Sequence, residues 1–140
     1  MAAVAKIINH PRVYDHLTDD LSPEVYVPDS SRIYIINEEA TGVIRLDPLT
    51  GTCCLVHIAA MPELWGKTKE FVREVIEWGW ANTCYSKAQS LTPVFIPLAI
   101  RLAKSCGFKQ EGILKKSYLK NFKLYDQVLL GLSKYEHKEN

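Results

Sequence analysis

Residues 61–71, with the sequence MPELWGKTKEF, combine several features of a phosphate-binding turn. Gly66 comes just before a stretch with helical periodicity, and Lys67 and Lys69 fall at the start of that stretch. The first turn of a helix has N–H groups without intrahelical acceptors and a partial positive charge, so it binds anions. Cations disfavour such a turn when it is empty, so two lysines there indicate a bound anion. The alternative is that both are solvated side chains on an exposed turn.

Three other side chains have the types needed for acid–base chemistry. His57 titrates near neutral pH and can act as a base, directly or through water. Its alternative is a hydrogen-bonded structural histidine within a strand. Tyr118 and Asp126 lie on opposite arms of a predicted hairpin at the end of the chain and can face a common cleft, although hairpin side chains point to solvent about as often.

Composition limits the functional class. The chain has 140 residues, 47% of them hydrophobic, and a net charge of +1, which fits one globular domain. Near-neutral charge argues against nucleic acid or an anionic membrane as the main partner. No apolar run reaches the length of a spanning helix and no signal peptide is recognisable, so a cytoplasmic location is expected. Cys53, Cys54, Cys84 and Cys106 lack metal-ligand spacing and are expected to be reduced core thiols.

The periodicity of the chain supplies the elements that hold these residues. Three short β-rich segments joined by tight turns predict an antiparallel meander. Apolar residues at helical spacing, Phe71, Val72, Val75, Ile76 and Gly79, then predict a helix with one buried face. The expected order is a helix at 11–17, a loop at 19–31, strands at 32–36, 43–46 and 52–60, a helix at 66–82, a strand at 84–91, a helix at 97–106 ended by Gly107, and two strands at 111–119 and 123–133 joined by a turn at 120–122.

We therefore expect a single mixed α/β domain over residues 1–140, with a mostly antiparallel sheet flanked by helices. Three segments of the chain resemble, in the same order, the GNAT superfamily of acyl-CoA-dependent N-acetyltransferases. Residues 40–71 resemble its strand–turn–strand passage and the Pro-Glu-x-x-Gly turn that follows. Residues 99–119 resemble its helix ending in Gly-Phe and the next strand. Residues 126–136 are similar to its closing strand, most closely that of ribosomal-protein-type members.

The sequence of residues 92–108 is also similar to that of small GNAT-like proteins of tailed bacteriophages, some of them linked to head assembly. The first forty residues match the superfamily only in general character. In such folds the segment that contains His10, Tyr14 and Asp19 lines the acceptor side. Helix capping and surface exposure explain those residues equally well.

The resemblance implies acetyl-CoA as co-substrate. In this superfamily the fourth strand of the sheet splays from the fifth and binds the pantetheine arm, and the helix after it binds the pyrophosphate. Transferred residue by residue, Ile58, Ala59 and Ala60 would run beside pantetheine. The pyrophosphate turn would consist of Trp65, Gly66, Lys67, Thr68, Lys69 and Glu70.

The turn departs from the pattern Gln/Arg-x-x-Gly-x-Gly/Ala at all three of its defining positions, Trp65, Thr68 and Glu70. Thr68 adds a Cβ near the phosphates, although its hydroxyl can donate to them. Glu70 places a carboxylate near a diphosphate, and Lys67 and Lys69 offset that charge. Weakened acetyl-CoA binding is expected.

The catalytic positions depart as well. A tyrosine that often serves as the acid is replaced by Ala103, and an asparagine near the start of the same helix is replaced by Ile96. The sequence favours an acetyl-CoA-dependent N-acetyltransferase that acts on an amine, with a protein as the expected acceptor. The alternative is a GNAT-fold interaction protein that has lost catalysis and serves in bacteriophage head assembly or in the virion.

Overall fold

A computed structural model describes residues 1–135 as a six-stranded sheet with helices on both faces. Glu136, the last residue of the segment that resembles a closing strand, lies outside the described residues. The elements in chain order are α1 (Ala2–Ile8), α2 (Pro11–Leu17), β1 (Ile33–Ile36), β2 (Gly42–Pro48), β3 (Cys53–Ala60), a 3-10 turn (Pro62–Leu64), α3 (Thr68–Asn82), β4 (Lys87–Pro93), α4 (Pro97–Ser105), β5 (Lys109–Lys120) and β6 (Lys123–Ser133).

The strands lie in the order β1-β2-β3-β4-β6-β5. Every neighbouring pair is antiparallel except β3 and β4, which are parallel and joined by the crossover helix α3. The predicted meander, the mostly antiparallel sheet and the flanking helices are therefore confirmed.

Each face of the sheet has its own apolar core, because strand side chains alternate between faces. On one face, Phe71 and Val75 of α3 pack with Ile44 and Leu130. On the other face, Val4 and Ile7 of α1 pack against Val43 and Ala59. Helix α1, which the sequence interpretation did not include, is thus fixed by burial of its apolar side chains.

The helix and turn boundaries follow local chemistry. Helix α2 begins with Pro11, and the Nδ1 of His10 caps it by accepting from Arg12 N at 3.1 Å. The capping explanation for His10 is confirmed. Gly107 has φ +99°, as expected of a residue just past the end of α4.

The segment after α3 differs from the prediction. Residues 83–86 form a loop, and the strand expected at 84–91 starts at Lys87 and ends at Pro93. Cys84 is therefore exposed rather than in the core, and its thiol donates to Gly51 O at 3.2 Å. Within residues 1–135, no helix has the length and hydropathy needed to cross a membrane.

Candidate functional site

The centre of the sheet contains a gap between β3 and β4. Their parallel pairing consists of Cys53↔Lys87, Cys54↔Ala88 and Leu55↔Gln89, after which the two strands separate. The predicted pantetheine residues Ile58, Ala59 and Ala60 lie in β3 beyond this point, and their pairs with β2 continue. One edge of β3 therefore carries backbone groups without ladder partners, which suit an extended polar ligand.

The predicted pyrophosphate turn leads directly from this gap into α3. Gly66 has φ +90°, a conformation that glycine adopts without strain. No side chain caps the N-terminus of α3, so donors of its first turn face outward without a side-chain acceptor. Lys67 is exposed and Lys69 is partly buried beside them. This arrangement fits a diphosphate.

The side chains at two of the substituted positions donate to backbone carbonyls that precede the turn. The Thr68 hydroxyl, which we expected to face phosphate, donates to Leu64 O at 3.3 Å. The indole Nε1 of Trp65 donates to Ala60 O at 3.0 Å and so occupies one carbonyl at the end of β3. Glu70 is exposed in the first turn of α3. The N–H groups of Trp65 and Lys67 also donate to Pro62 O and Leu64 O, so donors for a ligand are expected from the other residues of the turn.

A charged cluster lies on the sheet face covered by α1 and α2. Asp47 Oδ2 is 2.6 Å from Arg32 Nη1, 2.9 Å from Arg45 Nη2 and 3.2 Å from His57 Nε2. Arg45 and His57 are register partners on neighbouring strands. Asp47 Oδ1 is buried and accepts no hydrogen bond from the described residues. The cluster thus places the candidate base His57 between a carboxylate and two guanidinium groups.

The cluster shifts the protonation of its members. Burial, followed by the charge of Arg45, lowers the pKa of His57 to about 4, although 42% of its side chain is solvent-accessible. Burial opposes ionisation of Asp47, but the hydrogen bond from Arg32 and the charge of Arg45 outweigh it and hold its pKa below the ordinary value. His57 is therefore neutral at neutral pH. The carboxylate favours the proton on Nε2, which leaves Nδ1 as the acceptor nitrogen.

A pocket of about 180 Å³ lies beside this cluster, against the part of β3 that no longer pairs with β4. Arg45 and His57 line it on the sheet side together with Ile58 and Ala59 of the unpaired edge of β3. Its other walls come from α1, α2 and the loop after them, with Tyr14 and Tyr26 among the lining residues. Of the residues expected on an acceptor side, Tyr14 lines this pocket, whereas His10 and Asp19 do not.

The same architecture occurs in solved acetyltransferase structures. A spermidine N-acetyltransferase SpeG from Vibrio cholerae superposes with a TM-score of 0.67 at 19% identity, over 76% of this chain and 66% of that chain. The microcin C7 self-immunity acetyltransferase MccE, in complex with acetyl-CoA and AMP, superposes with a TM-score of 0.59 at 18% identity, over 66% of this chain and 54% of that chain. The chain has the GNAT fold. No family model and no curated protein matches it.

Within the GNAT fold, Tyr118 lies beyond the end of β4. Its ring centroid is 5.8 Å from that of Phe95, which follows β4, and Phe95 also contacts Tyr125 at 4.6 Å. Burial, followed by the charges of Asp19 and Asp15, raises the pKa of Tyr118 to about 12. The phenol is therefore protonated at neutral pH and able to donate.

Both carboxylate oxygens of Asp126 have partners within the β5–β6 hairpin. Its Oδ1 accepts from Lys116 N at 2.8 Å, and its Oδ2 lies 3.8 Å from Lys115 Nζ. These contacts hold an irregular stretch of β5, where Lys116 has φ +50°. Within residues 1–135, no hydrogen bond or ion pair joins any two of His57, Tyr118 and Asp126.

The sequence interpretation missed Arg45 and Asp47. Both interrupt an apolar strand two residues apart, which places them on one face, and their pairing with β3 brings them to His57. Two charged residues within an apolar strand are a pattern from which a polar site on that face could have been predicted. Ala103 and Ile96, at the positions where a tyrosine and an asparagine were expected, lie in α4 and at its N-cap, and Ala103 packs against the core.

Proposed function

We propose that this protein is an acetyl-CoA-dependent N-acetyltransferase that acts on an amine. The observation that carries the proposal is the gap between β3 and β4. The part of β3 beside this gap lines the pocket with His57 and leads along the chain to the uncapped first turn of α3. The acetyltransferases that share the fold support it. A gap of this kind suits the long polar arm of acetyl-CoA, and the helix turn suits its diphosphate.

In this proposal Ile58, Ala59 and Ala60 run beside the pantetheine arm. Because backbone groups alternate between the two edges of a strand, Ile58 and Ala60 offer theirs to the arm while Ala59 pairs with β2. Six residues form the turn around the pyrophosphate: Trp65, Gly66, Lys67, Thr68, Lys69 and Glu70. The N–H groups of Trp65 and Lys67 already donate to Pro62 O and Leu64 O, so the remaining N–H groups and the lysine charges hold the ligand. Ala60 contributes its N–H, because its carbonyl already accepts from Trp65. Acetyl-CoA supplies the activated acetyl group.

The transfer moves one acetyl group and one proton. The acceptor nitrogen forms a bond to the acetyl carbon, and the carbon–sulfur bond breaks with its electron pair on sulfur. His57 Nδ1 takes the proton from nitrogen, directly or through water, and the Tyr118 phenol gives a proton to the thiolate. Solvent returns the proton from His57 to Tyr118. Asp126 acts by holding β5 beside Tyr118.

Thermal unfolding with acetyl-CoA tests the binding half of the proposal, with AMP at equal concentration as the control ligand. A ligand at about 100 times its dissociation constant stabilises a protein by about 2.7 kcal/mol. We expect a clear rise of the midpoint with acetyl-CoA and none with AMP. Lys67→Glu is expected to weaken acetyl-CoA binding about tenfold, or about 1.4 kcal/mol. Lys6→Glu, an equal charge change in α1, is expected to leave affinity unchanged. No shift at millimolar acetyl-CoA would overturn the proposal.

A second candidate is an interaction protein that keeps the GNAT fold without catalysis, as in phage head assembly. The contact between Trp65 and Ala60 favours it, because a side chain of the protein takes a backbone group of the ligand gap. The replacement of the expected tyrosine by Ala103 favours it too. Acetyl-CoA binding without transfer to any amine, including a peptide N-terminus and a peptide lysine, would support this candidate over the enzyme.

A further inference from the structure

The pocket next to the unpaired edge of β3 has one cationic side chain, Arg45, among its lining residues. Arg45 and His57 are the basic residues that line it, and no Asp or Glu of residues 1–135 is part of the lining. Arg32 pairs with both Asp29 and Asp47, at 3.3 and 2.6 Å, so the charges of the two guanidinium groups and the two carboxylates balance. Of these four groups only Arg45 lines the pocket, so an anionic group that enters it meets a guanidinium and no carboxylate.

Arg45 keeps hydrogen-bonding capacity for such a group. Its Nε and Nη2 both lie within reach of Asp47 Oδ2, at 3.1 and 2.9 Å, and its Nη1 donates to the Tyr26 hydroxyl at 3.1 Å. A guanidinium has five N–H donors, so two remain. Its side chain is 19% exposed, so its position is fixed while part of it stays accessible.

The acidic residues of the segment beside this pocket have hydrogen-bond or ion-pair partners within the protein. Asp15 pairs with Lys120, and Asp19 accepts from Leu21 N and from the Ser22 hydroxyl. Asp20 accepts from the backbone of the β5–β6 turn. A polycationic acceptor would therefore find no free carboxylate in this pocket and would face Arg45.

We propose that the acceptor is a small amine that carries a carboxylate, with the carboxylate bound to Arg45 and the amine directed to the unpaired edge of β3. This rests on the proposed function. The apolar walls supplied by Ile8, Leu17 and Val43 fit an aliphatic side chain of moderate size. A free amino acid of the size of leucine has all three features, whereas a polypeptide N-terminus has an amide in place of the carboxylate.

Arg45 also suits the chemistry of the acceptor. Its charge disfavours an ammonium ion in the pocket, as it adds to the effect of burial against protonated His57, and so favours the neutral amine that attacks. A bound carboxylate offsets the charge of Arg45 and so raises the pKa of His57 from its lowered value. The acceptor thereby makes His57 a better base when the two are together.

A matched set of acceptors tests this class through release of free CoA. Leucine has the carboxylate, leucinamide replaces it with the amide of a polypeptide N-terminus, and spermidine is a polycation. We expect kcat/KM for leucine to exceed the other two by about tenfold or more. Equal acetylation of leucine and leucinamide would overturn the inference and leave the proposed function standing.

Binding without acetyl-CoA separates the two proposals. N-acetyl-leucine keeps the carboxylate and has no reactive amine, and N-acetyl-leucinamide is its neutral counterpart. We expect N-acetyl-leucine alone to raise the unfolding midpoint and to move the His57 imidazole titration, followed by NMR, to higher pH. This result in the absence of any acetyl transfer would support the pocket assignment while refuting the enzyme. No difference between the two compounds would overturn the assignment.

Arg45→Gln removes the charge that the inference depends on, and Arg73→Gln makes the same change on the exposed side of α3. We expect Arg45→Gln to abolish the discrimination between N-acetyl-leucine and N-acetyl-leucinamide, and Arg73→Gln to preserve it. Circular dichroism shows whether Arg45→Gln is folded. If it is not, the NMR titration of the unmodified protein decides. Retained discrimination in folded Arg45→Gln would refute the role of Arg45.

Discussion

The guanidinium of Arg12 lies over the indole ring of Trp65, 4.9 Å from the ring centroid. This contact joins α2, which walls the candidate acceptor pocket, to the turn that precedes α3. The Nε1 of the same indole donates to Ala60 O at the end of β3. Trp65 thus links the two proposed substrate regions.

We expect this contact to be measurable as a coupling between two substitutions. An exposed cation–π pair contributes about 0.5–1 kcal/mol, and Trp65 is 48% exposed. A double-mutant cycle of Arg12→Ala and Trp65→Ala, followed by urea unfolding, should give a coupling free energy of about 0.5 kcal/mol or more. Trp65→Phe keeps a ring under Arg12 and should retain most of the coupling while it loses the bond to Ala60. A coupling of zero would mean that the pair contributes nothing to stability.

Gly42, at the start of β2, lies close to Leu64 and Phe71, the residues just before and just after the pyrophosphate turn. A Cβ on Gly42 would lie well inside 3.0 Å of the Leu64 side chain and 3.1 Å from Phe71. Both neighbours are buried, so they have little room to move. We expect Gly42→Ala to destabilise the protein by about 1–3 kcal/mol. We also expect it to weaken acetyl-CoA binding, because Leu64 precedes the pyrophosphate turn and its carbonyl accepts from Lys67 N and the Thr68 hydroxyl.

Gly51→Ala is the matched control, since a Cβ there meets nothing within 4 Å. Its unfolding free energy and its acetyl-CoA affinity should stay close to those of the unmodified protein. If Gly42→Ala lost stability but kept full affinity, the position of Leu64 would not matter for the ligand.

How much the sequence could predict differs between elements for physical reasons. Helix α3 and the closing hairpin were predictable because periodicity and turn chemistry are local. The turn at Gly66 was located for the same reason. The cluster of Arg45, Asp47 and His57 was not, because it depends on the register between β2 and β3, which local patterns leave open.

The stability of the protein should depend on pH through His57. Its pKa falls from the ordinary 6.5 to about 4 in the folded state, so the unfolded chain binds more protons between these values. Stability should therefore fall as pH decreases from about 6.5 to about 4. Asp47, with its pKa below the ordinary 3.8, adds a loss only at lower pH.

Urea unfolding of His57→Gln at several pH values from neutral to about 4 checks this. The variant should show a smaller loss of unfolding free energy over this range than the unmodified protein. His16→Gln, in the last turn of α2, is the control for removing a histidine and should keep the steeper dependence of the unfolding free energy on pH. Identical slopes for all three proteins would show that His57 has an ordinary pKa.

The turn between β5 and β6 offers a stabilising substitution. Asn121 and Phe122 both have positive φ, 51° and 62°, and Phe122 is 97% exposed. A left-handed conformation costs a residue with a Cβ about 1–2 kcal/mol, whereas glycine adopts it freely, and Asn-Gly is the preferred pair for such a turn. Phe122→Gly should therefore raise the unfolding free energy by about 1 kcal/mol. Phe122→Ala removes the ring but keeps the Cβ, so it should give no gain. An equal gain in both variants would trace the cost to the exposed ring instead of the backbone.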